Sequence, residues 1–240
     1  MNSVKINSRN TQMVAHRGLS GIELENTLPA FIAAANRSYF GIETDVYKVR
    51  DGKYVLSHDG STGRIADVNV TLVEHTYEEL KKINLIDRHN GKTRTDLHFC
   101  LMEEYVSVCK RYGKIGVLEL KMDFSKEDLC EIIDIIKNEN YLDGIIFISF
   151  HFNTLVRLRE LLPEQKIQFL TGGEINNDLI SALKQYNMDL DILHTCVNEE
   201  KIKLLHSNGI KVNVWTVDSS ARALELVSWG VDFITSNILE

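Results

Sequence analysis

This sequence of 240 residues has few of the features of linker-rich, membrane-spanning or nucleic-acid-binding chains. It has only two prolines and no low-complexity stretch, which excludes a proline-rich linker or stalk. Its longest apolar run, from Gly144 to Ile148, is far too short to span a bilayer. The 27 basic residues are outnumbered by 34 acidic ones and form no block, so we expect no nucleic-acid partner.

The four cysteines lack the paired spacing of a zinc or redox motif. We therefore expect them to be reduced and to pack as small apolar groups. The N-terminal stretch is polar and has no apolar segment of the kind found in secretory signals. These features predict a cytoplasmic protein without stable membrane association, and they leave the oligomeric state open.

Short apolar runs alternate with amphipathic segments along the chain, which is the pattern of βα units. Strands are predicted near residues 12–15, 41–47, 54–57, 115–120, 145–149, 167–170, 191–194, 211–217 and 233–235. Helices are predicted near residues 29–37, 77–83, 101–112, 126–138, 154–161, 178–186, 199–207 and 221–229. The fold class is therefore α/β, and the length suits one (β/α)₈ TIM barrel, a single domain over residues 1–240.

Nine strands are one more than the barrel needs, and the Asp51-Gly52 pair accounts for the surplus. Asp-Gly between two strand-like runs is a strong signal for a hairpin with a two-residue turn. We expect the strand at 54–57 to fold back on the second strand as a β-hairpin extension. In that register Asp45 faces His58, and Glu43 lies on the same face.

Ionisable residues occupy alternate positions near the ends of two predicted strands. Glu43 and Asp45 lie on one strand, and Glu119 and Lys121 on another, while the residues between them are mostly apolar. Charged groups on the inner face of a buried strand are costly unless they are paired or bind metal. Barrel enzymes carry their chemistry at the carboxyl ends of the strands, which is where these residues are expected.

With these residues in view, the sequence resembles the glycerophosphodiester phosphodiesterase family. The resemblance runs from about Val14 to Thr235, and five spaced motifs occur in the family order. They are His16-Arg17-Gly18, Glu25-Asn26-Thr27, Glu43-Thr44-Asp45, His58-Asp59 and Glu119-Leu120-Lys121.

The resemblance implies that Glu43, Asp45 and Glu119 hold a divalent cation, while His16 and His58 act as general acid and base. Three carboxylates without a cysteine or histidine ligand form a hard-oxygen set, which favours Mg²⁺ or Ca²⁺ over zinc. The expected reaction is metal-dependent hydrolysis of a small glycerophosphodiester to an alcohol and glycerol 3-phosphate.

Three further residues are predicted to bind the substrate. Arg17 and Lys121 would stabilise charge on the phosphoryl oxygens, and Trp215 would contact the alcohol portion. Lys121 could instead be only an ion-pair partner of Glu119, and Trp215 only a core residue. Asn26 and Thr27, just before Pro29, are expected to cap a helix.

Several alternatives stay open at this point. The main one is a lysophospholipase D-like enzyme, which would share the chemistry but act on a lipid. A non-catalytic barrel would be expected to lack at least one motif residue, and none is missing. Arg64 is either a family arginine or a surface charge. We expect the other histidines to serve packing or the surface: His75, His89, His98, His151, His194 and His206.

Overall fold

The computed structural model describes residues 2–87 and 91–240. Its strands are β1 (Gln12–Ala15), β2 (Gly41–Lys48), β3 (Tyr54–Leu56), β4 (Leu85–Ile86), β5 (Thr93–Arg94), β6 (Ile115–Leu120), β7 (Ile145–Ser149), β8 (Ile167–Thr171), β9 (Asp189–Leu193), β10 (Val212–Trp215) and β11 (Phe233–Ser236). Its α-helices are α1 (Leu28–Ala35), α2 (Tyr77–Leu80), α3 (Met102–Tyr112), α4 (Lys126–Asn138), α5 (Phe152–Leu161), α6 (Asn177–Gln185), α7 (Glu199–Ser207) and α8 (Ser220–Trp229). Within the described ranges, no helix is long and apolar enough to cross a bilayer.

Eight strands form a closed parallel ring in the order β1, β2, β6, β7, β8, β9, β10 and β11, and β11 pairs with β1. Helices α1, α3, α4, α5, α6, α7 and α8 lie in the connections between successive strands of the ring. The predicted (β/α)₈ barrel is confirmed.

The barrel strands are buried on both faces, because helices cover the outside and side chains fill the inside. Outward residues such as Ile42 and Leu118 belong to the main core, together with Phe31 of α1. Full burial of each such side chain contributes about 1.5–3 kcal/mol. A smaller cluster includes inward-facing residues and contains Val14, Val117, Ile146, Ile148 and Leu170.

The hairpin extension forms, but its predicted register is wrong by one residue. Val46 pairs with Leu56 in the antiparallel ladder of β2 and β3. Asp45 is therefore opposite Ser57, whose backbone N–H donates to the Asp45 carbonyl oxygen at 3.0 Å. His58 is one position beyond this pairing.

The error comes from the length of the hairpin loop. The Val49 N–H donates to the Lys53 carbonyl oxygen at 2.9 Å, so the loop has three residues, 50–52, rather than two. Gly52 has a φ of +80°, the left-handed conformation that commonly closes a three-residue loop after a type I turn. The same Asp-Gly pair is thus compatible with either loop length.

The stretch between β3 and α3 builds a second small core beside the barrel. Its buried residues include Leu72, Leu80 and Phe99, which pack with Val55 of the hairpin. The short pair β4 and β5 also lies in this stretch, and the sequence did not predict it. Helix α2 belongs to this second core, and α3 is the helix that precedes the next barrel strand.

Candidate active site

The three predicted carboxylates converge at the carboxyl ends of two adjacent strands. Glu43 and Asp45 lie on β2 and Glu119 lies on β6, with Asp45 and Glu119 directly paired in the parallel register. One carboxylate oxygen of each residue lies within 4.8 Å of those of the others. All three side chains are buried.

Burial and mutual repulsion shift the pKa values of this trio in different directions. The pKa of Glu43 is raised well above its usual range by burial and by the nearby Asp45 and Glu119 carboxylates. The pKa of Glu119 is raised by burial and by Asp45. Burial also opposes the ionised form of Asp45, but Lys121 and Arg17 outweigh it and lower the pKa of that carboxyl.

Two cationic side chains lie against the carboxylates. Lys121 Nζ is 2.9 Å from Glu119 Oε1 and 3.3 Å from Asp45 Oδ1. The Arg17 backbone N–H donates to Glu43 Oε2 at 2.7 Å, and its side-chain Nε lies 3.7 Å from Asp45 Oδ2. Among the described residues, buried Asp45 Oδ1 has Lys121 as an ion-pair partner but accepts no hydrogen bond. This oxygen can therefore accept a further ligand.

The His16-Arg17-Gly18 segment forms a tight turn that directs the Arg17 N–H towards Glu43. Arg17 has a φ of 53° and Gly18 a φ of 76°. A Cβ at position 18 would lie 2.7 Å from backbone and side-chain carbons of Ala30, so only glycine fits there. This steric requirement explains the glycine of the first motif.

Asn26 does not cap α1, so the capping prediction for this residue is wrong. Its side chain instead forms hydrogen bonds with residues of β2 in the active site. Its Nδ2 donates to Asp45 Oδ2 at 2.9 Å, and its Oδ1 accepts from Thr44 Oγ1 at 2.7 Å. Thr27 occupies the N-cap position of α1, but its side chain makes no capping hydrogen bond. The buried amide instead fixes the orientation of the Asp45 carboxylate.

The two predicted catalytic histidines both line the cavity above the carboxylates. Burial, followed by the charge of Arg17, lowers the pKa of His16 to about 4. His16 Nε2 lies 4.0 Å from Glu43 Oε2. Burial also lowers the pKa of His58, and its Nδ1 lies 2.7 Å from Asp59 Oδ1.

An ion-pair network joins the loops that carry the two histidines. Arg64 donates to both oxygens of the buried Glu25 carboxylate, at 2.7 and 2.6 Å, and to Asp59 Oδ2 at 2.6 Å. Arg17 donates to Glu25 Oε1 at 3.0 Å. Burial opposes ionisation of Glu25, but these arginines lower its pKa. Arg64 is therefore part of the site's support and not an isolated surface charge.

The cavity over the site is open to solvent and has one apolar side. Trp215 lines it, and its ring packs edge-to-face on Phe150 with centroids 5.8 Å apart. Phe150 is 47% exposed. The cavity is lined by His16, Arg17, Glu43, His58, Glu119, Ile148, Phe150, Leu170, Asp191, Trp215, Thr216 and Thr235.

Asp191 and Phe150 are two of the lining residues that had no predicted role. Asp191 of β9 is buried, one of its oxygens has no hydrogen-bond partner in the described ranges, and burial and Glu119 raise its pKa. Its alternation with Leu190 and Ile192 is the same signal that identified Glu43 and Asp45. Phe150 follows a strand end, where barrel enzymes place functional residues.

Of the other histidines, five lie in the described ranges, and none of these lines the cavity: His75, His98, His151, His194 and His206. His89 lies outside the described residues. Two of the five pair with carboxylates, since His98 Nε2 is 3.8 Å from Glu104 Oε1 and His206 Nε2 is 2.8 Å from Asp232 Oδ2.

The chain is similar to known proteins in both sequence and fold. A glycerophosphodiester phosphodiesterase of Caldanaerobacter subterraneus is 27% identical over 95% of this chain and 94% of its own length. One from Bacillus altitudinis is 26% identical over 93% of each chain. The structure of an Oleispira antarctica phosphodiesterase, in complex with the product sn-glycerol-3-phosphate, superposes with a TM-score of 0.87 at 25% identity, covering 98% of this chain and 96% of that one.

The match also extends to the family as a whole. The sequence model of the glycerophosphoryl diester phosphodiesterase family matches residues 16–239, from the first proposed catalytic histidine almost to the last residue. This match covers nearly the whole barrel and every motif residue discussed above. The chain therefore belongs to the glycerophosphoryl diester phosphodiesterase family.

Proposed function

We propose that this enzyme, a phosphoric diester hydrolase, cleaves small glycerophosphodiesters to an alcohol and glycerol 3-phosphate with the aid of a bound divalent cation. The observation that carries the proposal is the convergence of Glu43, Asp45 and Glu119 within 4.8 Å beneath a cavity lined by His16 and His58. The relatives named as glycerophosphodiester phosphodiesterases support the substrate class.

The residues present fit a hard divalent cation. Three carboxylates from Glu43, Asp45 and Glu119 provide oxygen ligands, as Mg²⁺ and Ca²⁺ prefer. Of the described residues, only two cationic side chains, Arg17 and Lys121, lie against the three carboxylates, so the ionised group keeps one negative charge that a cation would offset. When bound, the cation supplies Lewis-acid stabilisation of charge on the phosphoryl oxygens.

The charge balance of the site suits a phosphodiester. Arg17 and Lys121 contribute two positive charges beside the three carboxylates. With a divalent cation, the site has one net positive charge, which matches the single negative charge of the substrate. We infer that Arg17 and Lys121 stabilise the charge that develops on the non-bridging oxygens during displacement at phosphorus.

The two histidines transfer the protons. His16 removes a proton from the attacking glycerol 2-hydroxyl, and His58 protonates the leaving alcohol. Water then opens the resulting cyclic phosphate to give glycerol 3-phosphate. The surroundings of the two histidines support this division, because the Asp59 carboxylate offsets part of the lowering of the His58 pKa by burial, whereas His16 lies beside the neutral Asn237 amide and Arg17 lowers its pKa further. Each step is worth about 10²–10⁴-fold in rate.

Release of choline from glycerophosphocholine, and of ethanolamine from glycerophosphoethanolamine, tests the proposal. We expect turnover that EDTA abolishes and that Mg²⁺ or Ca²⁺ restores. Full activity after metal stripping would contradict the metal-dependent reaction. Failure of both substrates in the metal-loaded enzyme would contradict the substrate class.

A lysophospholipase D-like activity is a second candidate, because one side of the cavity is apolar. Phe150 and Trp215 form an edge-to-face pair there, next to Ile148 and Leu170. Such a surface would contact the acyl chain of a lysophospholipid. Comparing lysophosphatidylcholine with glycerophosphocholine under the same conditions distinguishes the two candidates by their kcat/KM ratio.

A further inference from the structure

His16 lies at one end of a chain of hydrogen bonds that runs through Asn237 to Asp218. Its Nδ1 is 2.7 Å from Asn237 Oδ1, and Asn237 Nδ2 donates to Asp218 Oδ2 at 2.6 Å. Asp218 Oδ1 also accepts from the Asn237 backbone N–H at 2.8 Å and from Ser236 Oγ at 3.0 Å. The Asp218 carboxylate thus accepts three hydrogen bonds, all from residues 236 and 237.

These contacts fix which way the Asn237 amide points. A carboxylate oxygen only accepts hydrogen bonds, so the amide atom next to Asp218 is the NH₂ group. The other end of the amide is then a carbonyl oxygen, which cannot donate. Ser20 Oγ, 2.7 Å from the same oxygen, is consistent with this orientation because its hydroxyl can donate. The hydrogen between His16 and Asn237 is therefore carried by His16 Nδ1.

The barrel itself brings the three residues together. His16, Asp218 and Asn237 follow β1, β10 and β11, which are neighbours in the ring. The His16 backbone N–H donates to the Ser236 carbonyl oxygen at 2.9 Å, which closes the last pair of the β1–β11 ladder, Ala15 with Ser236. Their arrangement therefore depends on strand closure and not on a flexible loop.

We propose that Asn237, oriented by Asp218, is a positioning residue that holds neutral His16 as the Nδ1–H tautomer. In this tautomer Nε2 carries the lone pair, and Nε2 is the nitrogen on the side of Glu43. Neutral His16 can then accept a proton at Nε2 but cannot donate one from that nitrogen. The tautomer itself is independent of the reaction, but its consequence for catalysis rests on the proposed function.

The tautomer can be observed directly by NMR of the full chain loaded with Mg²⁺ and labelled with ¹⁵N-histidine. At about pH 8, above the ordinary histidine pKa, we expect a protonated Nδ1 and an unprotonated Nε2 for His16. His206 provides an internal reference of the opposite kind, because its Nε2 donates to Asp232 Oδ2 at 2.8 Å. His16→Gln assigns the signal. A protonated Nε2 in neutral His16 would overturn the inference.

Variants of the chain test whether Asn237 sets the tautomer. Asn237→Leu removes the acceptor, and we expect a mixed or reversed His16 tautomer. Asp218→Asn leaves too few acceptors for the three donors, and we expect a partial change in the same direction. Ser20→Ala is the matched control. It removes the Ser20 hydroxyl that donates to Asn237 Oδ1, while Asp218 still orients the Asn237 amide. An unchanged His16 spectrum in both folded test variants would refute the role of Asn237.

Kinetics separate positioning from structural damage. With glycerophosphocholine, we expect Asn237→Leu to lower kcat by about 10–100-fold, the range typical for loss of a residue that orients a metal-binding histidine. KM should change little, because Asn237 does not line the cavity among the described residues. A rise in KM at constant kcat would contradict positioning. If the wild type is active and His16 is in the other tautomer, this inference fails while the proposed function stands.

Discussion

Replacing Glu43 by glutamine should stabilise the metal-free protein at alkaline pH, although it removes a proposed metal-binding group. The reason is the repulsion between ionised carboxylates that are buried together. Glutamine removes the charge at position 43 but retains a side-chain oxygen. That oxygen can still accept the 2.7 Å hydrogen bond from the Arg17 backbone N–H.

The size of the effect follows from the distances. The ligand oxygens of Glu43, Asp45 and Glu119 lie within 4.8 Å of one another in a buried setting. At an effective dielectric constant of about 20, two unit charges at that separation repel by about 3.5 kcal/mol. Nearby Arg17 offsets part of this repulsion, so we expect the variant to gain about 2–3 kcal/mol in free energy of unfolding. For a chain of this size, the melting temperature should rise by roughly 5–10 °C.

The stability advantage of Glu43→Gln over the wild type should increase as the pH rises. The pKa of Glu43 in the folded protein is raised well above its unfolded value. The stability that the protonated side chain provides is therefore complete below the unfolded pKa of about 4.3 and is lost as pH rises through the folded pKa. Glutamine suffers no such loss. The two proteins should have nearly equal stability at about pH 4–5 and should diverge at higher pH.

Urea unfolding in EDTA at several pH values measures this difference, with Glu174→Gln as an exposed control. Addition of Mg²⁺ or Ca²⁺ at about 1,000 times its Kd should reverse the order, because a ligand at that concentration stabilises the wild type by about 4.1 kcal/mol. A variant that is less stable than the wild type in EDTA at high pH would refute the reasoning. A difference that does not change with pH would refute it as well.

The other predictions concern the reaction and the residues that support it. Alanine at His16 or at His58 should lower kcat by at least about 10²-fold, while urea unfolding stays cooperative; near-normal rates in both variants would exclude the acid–base assignment. Arg64→Leu should lower the free energy of unfolding by about 1–2 kcal/mol, because buried Glu25 loses two charged hydrogen bonds and the partly exposed arginine limits the loss. An unchanged urea midpoint would show that this pair contributes nothing. Phe150→Ala should raise KM for glycerophosphocholine about threefold to tenfold, as expected for loss of an aromatic contact of ~0.5–1.5 kcal/mol; an unchanged KM would place the alcohol elsewhere.

Much of the fold could be predicted from the sequence, because the barrel strands are short apolar runs with clear boundaries. The strands Gln12–Ala15, Ile115–Leu120 and Ile145–Ser149 have the predicted limits, as does the helix Lys126–Asn138. The missed pair β4 and β5 has only two residues in each strand, which is too short for a periodic pattern. Its existence depends on contacts in the second core and not on local sequence.

The residues of the candidate site were predictable where a charged side chain interrupts a buried strand. Glu43, Asp45 and Glu119 share this feature, and Asp191 has it too but was overlooked. Asn26 and Asn237 could not be assigned in this way, because both lie in turns where asparagine is common for purely local reasons. Their partners are 18 or more positions away along the chain, so only the folded barrel shows what their amides contact.

The register error also shows what determines the position of His58. A one-residue shift in a continuous ladder would turn this side chain to the opposite face. His58 still lines the cavity, because it lies just beyond the end of β3, where the ladder no longer dictates its direction. Asp59 holds its ring, and Arg64 joins Asp59 to the buried Glu25 carboxylate. Since Arg17 binds that same carboxylate, Glu25 connects the loops of both histidines.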